Sequence, residues 1–164
     1  MLSRALVLSL FAVLLAAAPA SATIVPSKGM AGVELGDCIE RAIEVLGYPD
    51  RTFGSRDFAG FKQSYYYNKS ALKLEFRRGP GKCLELTSIR TRSGVERTKE
   101  GVGKGTKRKA LRAKLKGEKC RTFTRPKRIS ICWLGSMTPS KPLTEFRIDS
   151  KGRVNNVRVA IVID

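Results

Sequence analysis

The stretch Gly32-Val33-Glu34-Leu35-Gly36-Asp37 leads into a segment, Ile39 to Leu46, whose apolar residues recur at the spacing of one helix face. Gly101-Val102-Gly103-Lys104-Gly105-Thr106 repeats this pattern 69 residues later and leads into a second helical segment. Asp37 and Thr106 are the predicted helix N-caps, because a side-chain oxygen there can accept hydrogen bonds from free backbone N–H groups. A pattern that recurs at a fixed period predicts one supersecondary unit built twice.

The apolar period changes from helical to alternating after each of these segments, which predicts strands. Residues 61–67 and 72–76 predict a hairpin in the first half, and residues 129–133 predict a strand in the second. The predicted fold class is therefore α+β: a tandem repeat of two units, each a short helical N-terminal segment followed by an antiparallel sheet. We place the two units at residues 23–95 and 96–164.

The first 22 residues have the features of a secretory signal peptide. Arg4 precedes an apolar run from Ala5 to Ala18 that only Ser9 interrupts, and Ala20-Ser21-Ala22 fits the small-residue cleavage pattern. The run is shorter than the roughly 20 residues that a bilayer-spanning helix needs. We therefore predict a secreted, extracellular protein without a transmembrane span, with residues 1–22 as the signal peptide.

Four cysteines, an even number, predict disulfides formed in an oxidising compartment. Three pairings are possible, and the repeat favours Cys38–Cys83 in the first unit and Cys120–Cys132 in the second. Metal binding is the alternative use of four cysteines, but the chain has no CxxC spacing and no histidine. We therefore predict two disulfides, no metal and no cofactor.

The pattern formed by Gly36-Asp37, Ala42, Leu46-Gly47 and Pro49 resembles the helix segment of the small outer-membrane assembly lipoproteins of the SmpA/OmlA type. Doubled, and with one disulfide in each half, the chain resembles the β-lactamase inhibitory protein family. That resemblance implies a tandem repeat whose sheets form a concave face that binds a protein. It implies no particular target, and we assign no inhibitory residue from it.

The formal net charge is +18, and most of it lies in the second half of the chain. Residues 102–164 carry 17 basic and four acidic side chains. Such a surface attracts anionic lipid, nucleic acid or anionic wall polymers without specificity. The predicted polyanion-binding or steering patch comprises Lys104, Lys107, Arg108, Lys109, Arg112, Lys114, Lys116, Lys119, Arg121, Arg125, Lys127 and Arg128.

Aromatic residues are the other candidates for partner recognition, because tyrosine and tryptophan are enriched among the side chains that dominate protein interfaces. Strand alternation places Tyr65 and Tyr67 on one face and Tyr66 on the other. Trp133, the only tryptophan, lies on the face opposite its neighbour Cys132. We predict Tyr65, Tyr67 and Trp133 as contacts for a protein partner.

The sequence gives little support for an enzyme. Absence of histidine removes the usual general base near neutral pH. Glu75 and Glu145 occupy corresponding strand positions and could form a glycosidase pair, but a solvated face or a pair with a neighbouring arginine is the preferred interpretation. We therefore predict a non-catalytic binding module that grips an extracellular, acidic protein through a concave sheet face. The alternative is a polycationic protein that binds cell wall, membrane or nucleic acid.

Overall fold

The computed structural model describes residues 23–81, 83–124 and 129–163. These residues contain eleven strands and two short helices. A small three-stranded sheet comes first, formed by β1 (Ile24–Val25), β2 (Gly29–Met30) and β3 (Val33–Glu34). Helix α1 spans Ile39–Leu46 and helix α2 spans Arg108–Lys114. In this part of the chain, neither helix is long and apolar enough to cross a membrane.

The remaining strands form one antiparallel sheet of eight, in the order β4-β5-β6-β7-β11-β10-β9-β8. The strands are β4 (Arg51–Asp57), β5 (Gly60–Tyr67), β6 (Leu72–Arg78), β7 (Leu84–Thr91), β8 (Lys119–Phe123), β9 (Ile129–Gly135), β10 (Pro142–Ile148) and β11 (Val154–Ile161). At the centre, β7 pairs with β11 from Thr91 opposite Val157 to Ser88 opposite Ala160. Backbone hydrogen bonds therefore run without interruption from one half of the chain to the other.

This architecture shows that the predicted fold class, a tandem α+β repeat, was wrong. The described residues are mostly β, with 50% of them in strands and 11% in helices. The strands that the prediction divided between two sheets belong to one sheet, because β7 and β11 pair with each other. Each helix has only two turns and covers a small part of that sheet. Local periodicity found the helices, but it overstated their share of the fold.

The hydrophobic core lies against one face of the eight-stranded sheet. Phe76 of β6 and Phe146 of β10 are fully buried in it. Ala42 of α1, Leu111 of α2 and Met30 of the small sheet belong to the same cluster. Both helices and the small sheet therefore pack on this face, which we call the core face. The other side of the eight-stranded sheet is the open face.

The predicted helix caps were also wrong. The N-cap residues are Cys38 for α1 and Lys107 for α2, and neither side chain caps its helix. The Asp37 carboxylate instead accepts the N–H of Glu34 at 2.8 Å. The Thr106 hydroxyl accepts the N–H of Gly103 at 3.1 Å. Both oxygens therefore close the turn that comes before the helix.

The two disulfides that the repeat favoured are confirmed. Cys38 bonds to Cys83, and Cys120 bonds to Cys132. The second pair lies directly opposite in the β8–β9 ladder, which brings its Cα atoms within 4.0 Å. Stable disulfides are typical of proteins outside the cytosol, so these bonds indicate secretion. The predicted signal peptide, residues 1–22, lies outside the described residues.

Candidate functional site

A single row of residues crosses all eight strands on the open face, each residue directly opposite the next. From β4 to β8 the row comprises Arg51, Tyr66, Lys73, Arg90, Arg158, Glu145, Trp133 and Lys119. Five members are cations, one is an acid and two are aromatic. We call this set the cross-strand row. It gives the open face a positive centre, with one aromatic side chain towards each edge of the sheet.

Three cations of the cross-strand row are neighbours at the centre of the sheet. Lys73 lies opposite Arg90, and Arg90 lies opposite Arg158. Like charges placed directly opposite each other destabilise a sheet. Two of the three have partners: Lys73 Nζ donates to Glu75 at 2.6 Å, and Arg158 Nε donates to the Ser88 hydroxyl at 2.9 Å.

Arg90 differs from its neighbours in the row. Its side chain takes part in none of the hydrogen bonds or ion pairs found between described side chains. Burial lowers the pKa of Arg90, and the charges of Arg158 and Arg147 lower it further. A guanidinium remains protonated at neutral pH even so. A half-buried positive charge without an ion pair therefore lies on β7, one of the two central strands of the open face.

The acidic side chains of the open face are engaged with cations. Burial alone would raise the pKa of Glu75, but the Lys73 hydrogen bond and nearby positive charges outweigh it and lower that pKa. Glu145 accepts a hydrogen bond from Arg147 Nε at 2.9 Å. Glu75 and Glu145 thus belong to different ion pairs. The preferred interpretation was a solvated face or a pair with a neighbouring arginine. Glu145 has such an arginine partner, whereas the partner of Glu75 is a lysine. Among the described residues, no group of three or more acidic or cysteine side chains is placed to hold a metal ion.

Asp57 and Arg77 form a two-pronged ion pair at the β4–β6 corner of the open face. Arg77 Nη1 donates to Asp57 Oδ1 at 2.7 Å, and Arg77 Nη2 donates to Asp57 Oδ2. These hydrogen bonds lower the pKa of Asp57 from 3.8 to about 2. The opposite charges of Asp57 and Arg77 therefore compensate each other at this corner.

The Asp57–Arg77 pair predicts a specific acid titration. Because the folded-state pKa is below the unfolded one, the pair stabilises the fold above about pH 4 and loses its effect as the pH falls through about 2. The carbon NMR signal of the Asp57 carboxyl should titrate with a midpoint near 2. Arg77→Gln should move that midpoint towards 3.8. A wild-type midpoint already near 3.8 would contradict the pairing.

Aromatic side chains lie near both edges of the open face. The Tyr66 ring has Arg51 Cζ and Lys73 Nζ each at 5.4 Å from its centroid, within the range of a cation–π contact. Phe53, two residues from Arg51 on β4, is 61% exposed. At the other edge, Trp133 is partly exposed beside Lys119 of β8. These rings supply apolar contact area on either side of the positive centre.

The three predicted contact residues do not share a face. Tyr67 is 6% exposed and donates its hydroxyl hydrogen to the Gly47 carbonyl oxygen. Tyr65 packs edge-on against Phe76, with 5.2 Å between the ring centroids. Both lie on the core face, whereas Trp133 lies on the open face. Tyr66, which is not among the predicted contacts, is the tyrosine that lies on the open face with Trp133.

The predicted basic patch is also divided between the two faces. Leu111 of α2 and Cys132 share the core, so the exposed cations of α2 lie on the core side of the sheet. Lys119 and Arg121 alternate with Cys120 and therefore belong to the open face. Arg125, Lys127 and Arg128 lie outside the described residues. The cations do not form a single patch among the described residues.

Sequence reasoning missed Arg90 and Arg158 as site residues. Arg90 lies between Ile89 and Thr91 on β7, and Arg158 lies between Val157 and Val159 on β11. Alternation alone places them on a polar face, but it does not bring them together. Only the pairing of β7 with β11 does so.

Comparison with known proteins yields two similar structures. An extracellular protein containing a SCP domain from Bacillus anthracis has 12% identity and a TM-score of 0.48, over 77% of this chain and 44% of that one. A DUF4309 family protein, YjgB, from Bacillus subtilis has 14% identity and a TM-score of 0.49, over 87% of this chain and 90% of that one. The chain thus spans less than half of the Bacillus anthracis protein. No family model and no curated protein matches the chain significantly.

Proposed function

We propose that the protein is a secreted, non-catalytic binding module whose open face grips an acidic extracellular protein. The observation that carries this proposal is the cross-strand row, with five cations and two aromatic side chains on one sheet face. Arginine, tyrosine and tryptophan are the residues most enriched among those that dominate interface binding energy. The row contains all three types on the same face of one sheet.

Charge complementarity supports an acidic partner. The net charge of +18 draws negatively charged proteins towards the surface, and the open face adds a local positive centre. Tyr66 and Trp133 supply apolar contacts once the partner has docked.

Secretion is part of the proposal. The two disulfides are suited to an oxidising environment. The apolar run and small-residue cleavage pattern within residues 1–22 support export by a signal peptide.

A second candidate function is binding to an anionic polymer or membrane surface. It is favoured by the exposed cations of α2 and its flanks, which lie away from the open face. These are Lys104, Lys107, Lys109, Arg112, Lys114 and Lys116. Binding through them would be abolished by salt and insensitive to changes on the open face.

Two matched double variants separate the open face from the rest of the surface. Arg51 and Tyr66 form a cross-strand pair of β4 and β5 on the open face, and Arg56 and Phe61 form a similar pair of the same strands on the core face. The mature protein is immobilised and exposed to extracellular fluid, and retained proteins are identified. We expect Arg51→Ala/Tyr66→Ala to weaken retention of acidic proteins at least about tenfold, since each anchor side chain is worth more than about 1 kcal/mol.

The control variant Arg56→Ala/Phe61→Ala should retain the same acidic proteins as the wild type. Equal losses in the two double variants would contradict the proposal, because the open face would then have no special role. If 0.5 M salt removes all retention and neither double variant changes it, the result would favour the polymer-binding candidate instead.

A further inference from the structure

A cavity of about 330 Å³ opens beside the cross-strand row, at the turn between β5 and β6. Its lining includes Tyr66, Lys73, Arg90 and Arg92, and none of the described residues that line it is acidic. Arg92 directly follows β7 and is exposed. The cavity therefore concentrates three positive charges in a space that the protein does not fill with an anion of its own.

Two of these three cations have no acidic partner. Lys73 is already bound to Glu75. Neither the Arg90 nor the Arg92 side chain appears in any ion pair or hydrogen bond between described side chains. Arg90 is also half-buried, in a place where an unpaired charge is costly. An incoming anion would therefore gain hydrogen bonds and relieve the repulsion between Arg90 and Arg158.

The spacing of the two free guanidinium groups indicates the shape of the ligand. Arg90 lies in β7, which ends at Thr91, and Arg92 follows it. Both side chains line the same cavity, and alternate residues of a strand are roughly 7 Å apart. Alternate residues of an extended partner segment have that spacing too. A guanidinium binds a carboxylate through two parallel N–H···O bonds.

We propose that Arg90 and Arg92 bind two carboxylates at alternate positions of an extended acidic segment in the partner protein. This inference rests on the proposed function, because it names the partner feature that the open face recognises. The cavity would thus bind protein carboxylates, and the experiment distinguishes these from a phosphate-bearing ligand.

The test uses a synthetic five-residue peptide with glutamates at its second and fourth positions. We expect Arg90→Gln to weaken its affinity for the full mature protein about tenfold, since a hydrogen-bonded charge pair is lost. Arg56→Gln, which removes the same charge from the core face, should change affinity less than about twofold. In the wild type, the NMR signals of the Arg90 and Arg92 Nε–H groups should shift most during titration. Removing Arg90 relieves a like-charge contact, so the variant should still fold.

Three outcomes overturn the inference. The first is equal weakening by Arg90→Gln and Arg56→Gln. The second is equal affinity for a peptide whose two glutamates are adjacent. The third is tighter binding of inorganic phosphate than of the peptide, which would assign the cavity to a phosphate ligand. Peptide binding at Arg90 without selective capture of acidic proteins would overturn the proposed function but leave the cavity assignment in place.

Discussion

Phe146→Ala is expected to lower the free energy of unfolding by about 3–5 kcal/mol, the range for removing a fully buried phenylalanine side chain. Phe146 is completely buried, and it lies between Cys132 on β9 and Val157 on β11. The same core cluster includes Phe76 from the other half of the sheet. Loss of the Phe146 ring should therefore weaken both halves together. Urea unfolding followed by Trp133 fluorescence and by far-UV circular dichroism measures the effect.

The matched control is Phe53→Ala, because Phe53 is 61% exposed on an edge strand. Its effect should stay within about 0.5 kcal/mol. Amide hydrogen exchange in β6 distinguishes one cooperative sheet from two independent units. Faster exchange there in Phe146→Ala is the expected result. Unchanged exchange in β6, with exchange accelerated only in β9 to β11, would restore the two-unit interpretation that the β7–β11 pairing overturned.

Removal of the Cys38–Cys83 disulfide, by Cys38→Ser/Cys83→Ser, is expected to cost about 4 kcal/mol. Its two cysteines are 45 residues apart, so the bond removes much conformational entropy from the unfolded chain. Cys120–Cys132 closes a loop of only 12 residues. Its removal should cost about 3 kcal/mol. Urea unfolding of the two double-serine variants, beside the wild type, gives both values.

Reduction of the wild type with dithiothreitol provides the control for the serine variants. The reduced wild type should be less stable than either double variant, because it lacks both bonds. A larger cost for Cys120–Cys132 than for Cys38–Cys83 would contradict the loop-length argument. It would mean that native contacts around the β8–β9 ladder, rather than the unfolded chain, determine the effect.

The sequence predicted local structure better than it predicted the architecture. The alternation of Leu72, Leu74 and Phe76 predicted β6 and its buried face, and the structure buries all three. The repeat also predicted the correct cysteine pairs. The pairing of β7 with β11 carries no local signal, because the partner of each strand depends on the whole fold. The division into two sheets was wrong for that reason.

The faces on which the candidate site residues lie could not be predicted from the sequence, for a related reason. Alternation correctly separated Tyr66 from Tyr65 and Tyr67, but it does not say which side meets the core. Tyr65 and Tyr67 lie opposite Leu74 and Leu72, so they point inwards. The cross-strand partner of each tyrosine therefore decides its face. The density of basic residues along the chain similarly predicted a single patch where there is none. The basic residues of α2 and β8 are close in sequence but lie on opposite sides of the sheet.

The pairing of β7 with β11 also affects how the chain reaches its native state. The segments that pair are roughly 70 residues apart, and closing so long a loop is slow. Until β11 is in place, β7 and β10 both present unpaired edges that can pair with another molecule. Yield on refolding should therefore depend strongly on protein concentration. The same central ladder that makes the native sheet continuous leaves the unfinished protein vulnerable to aggregation.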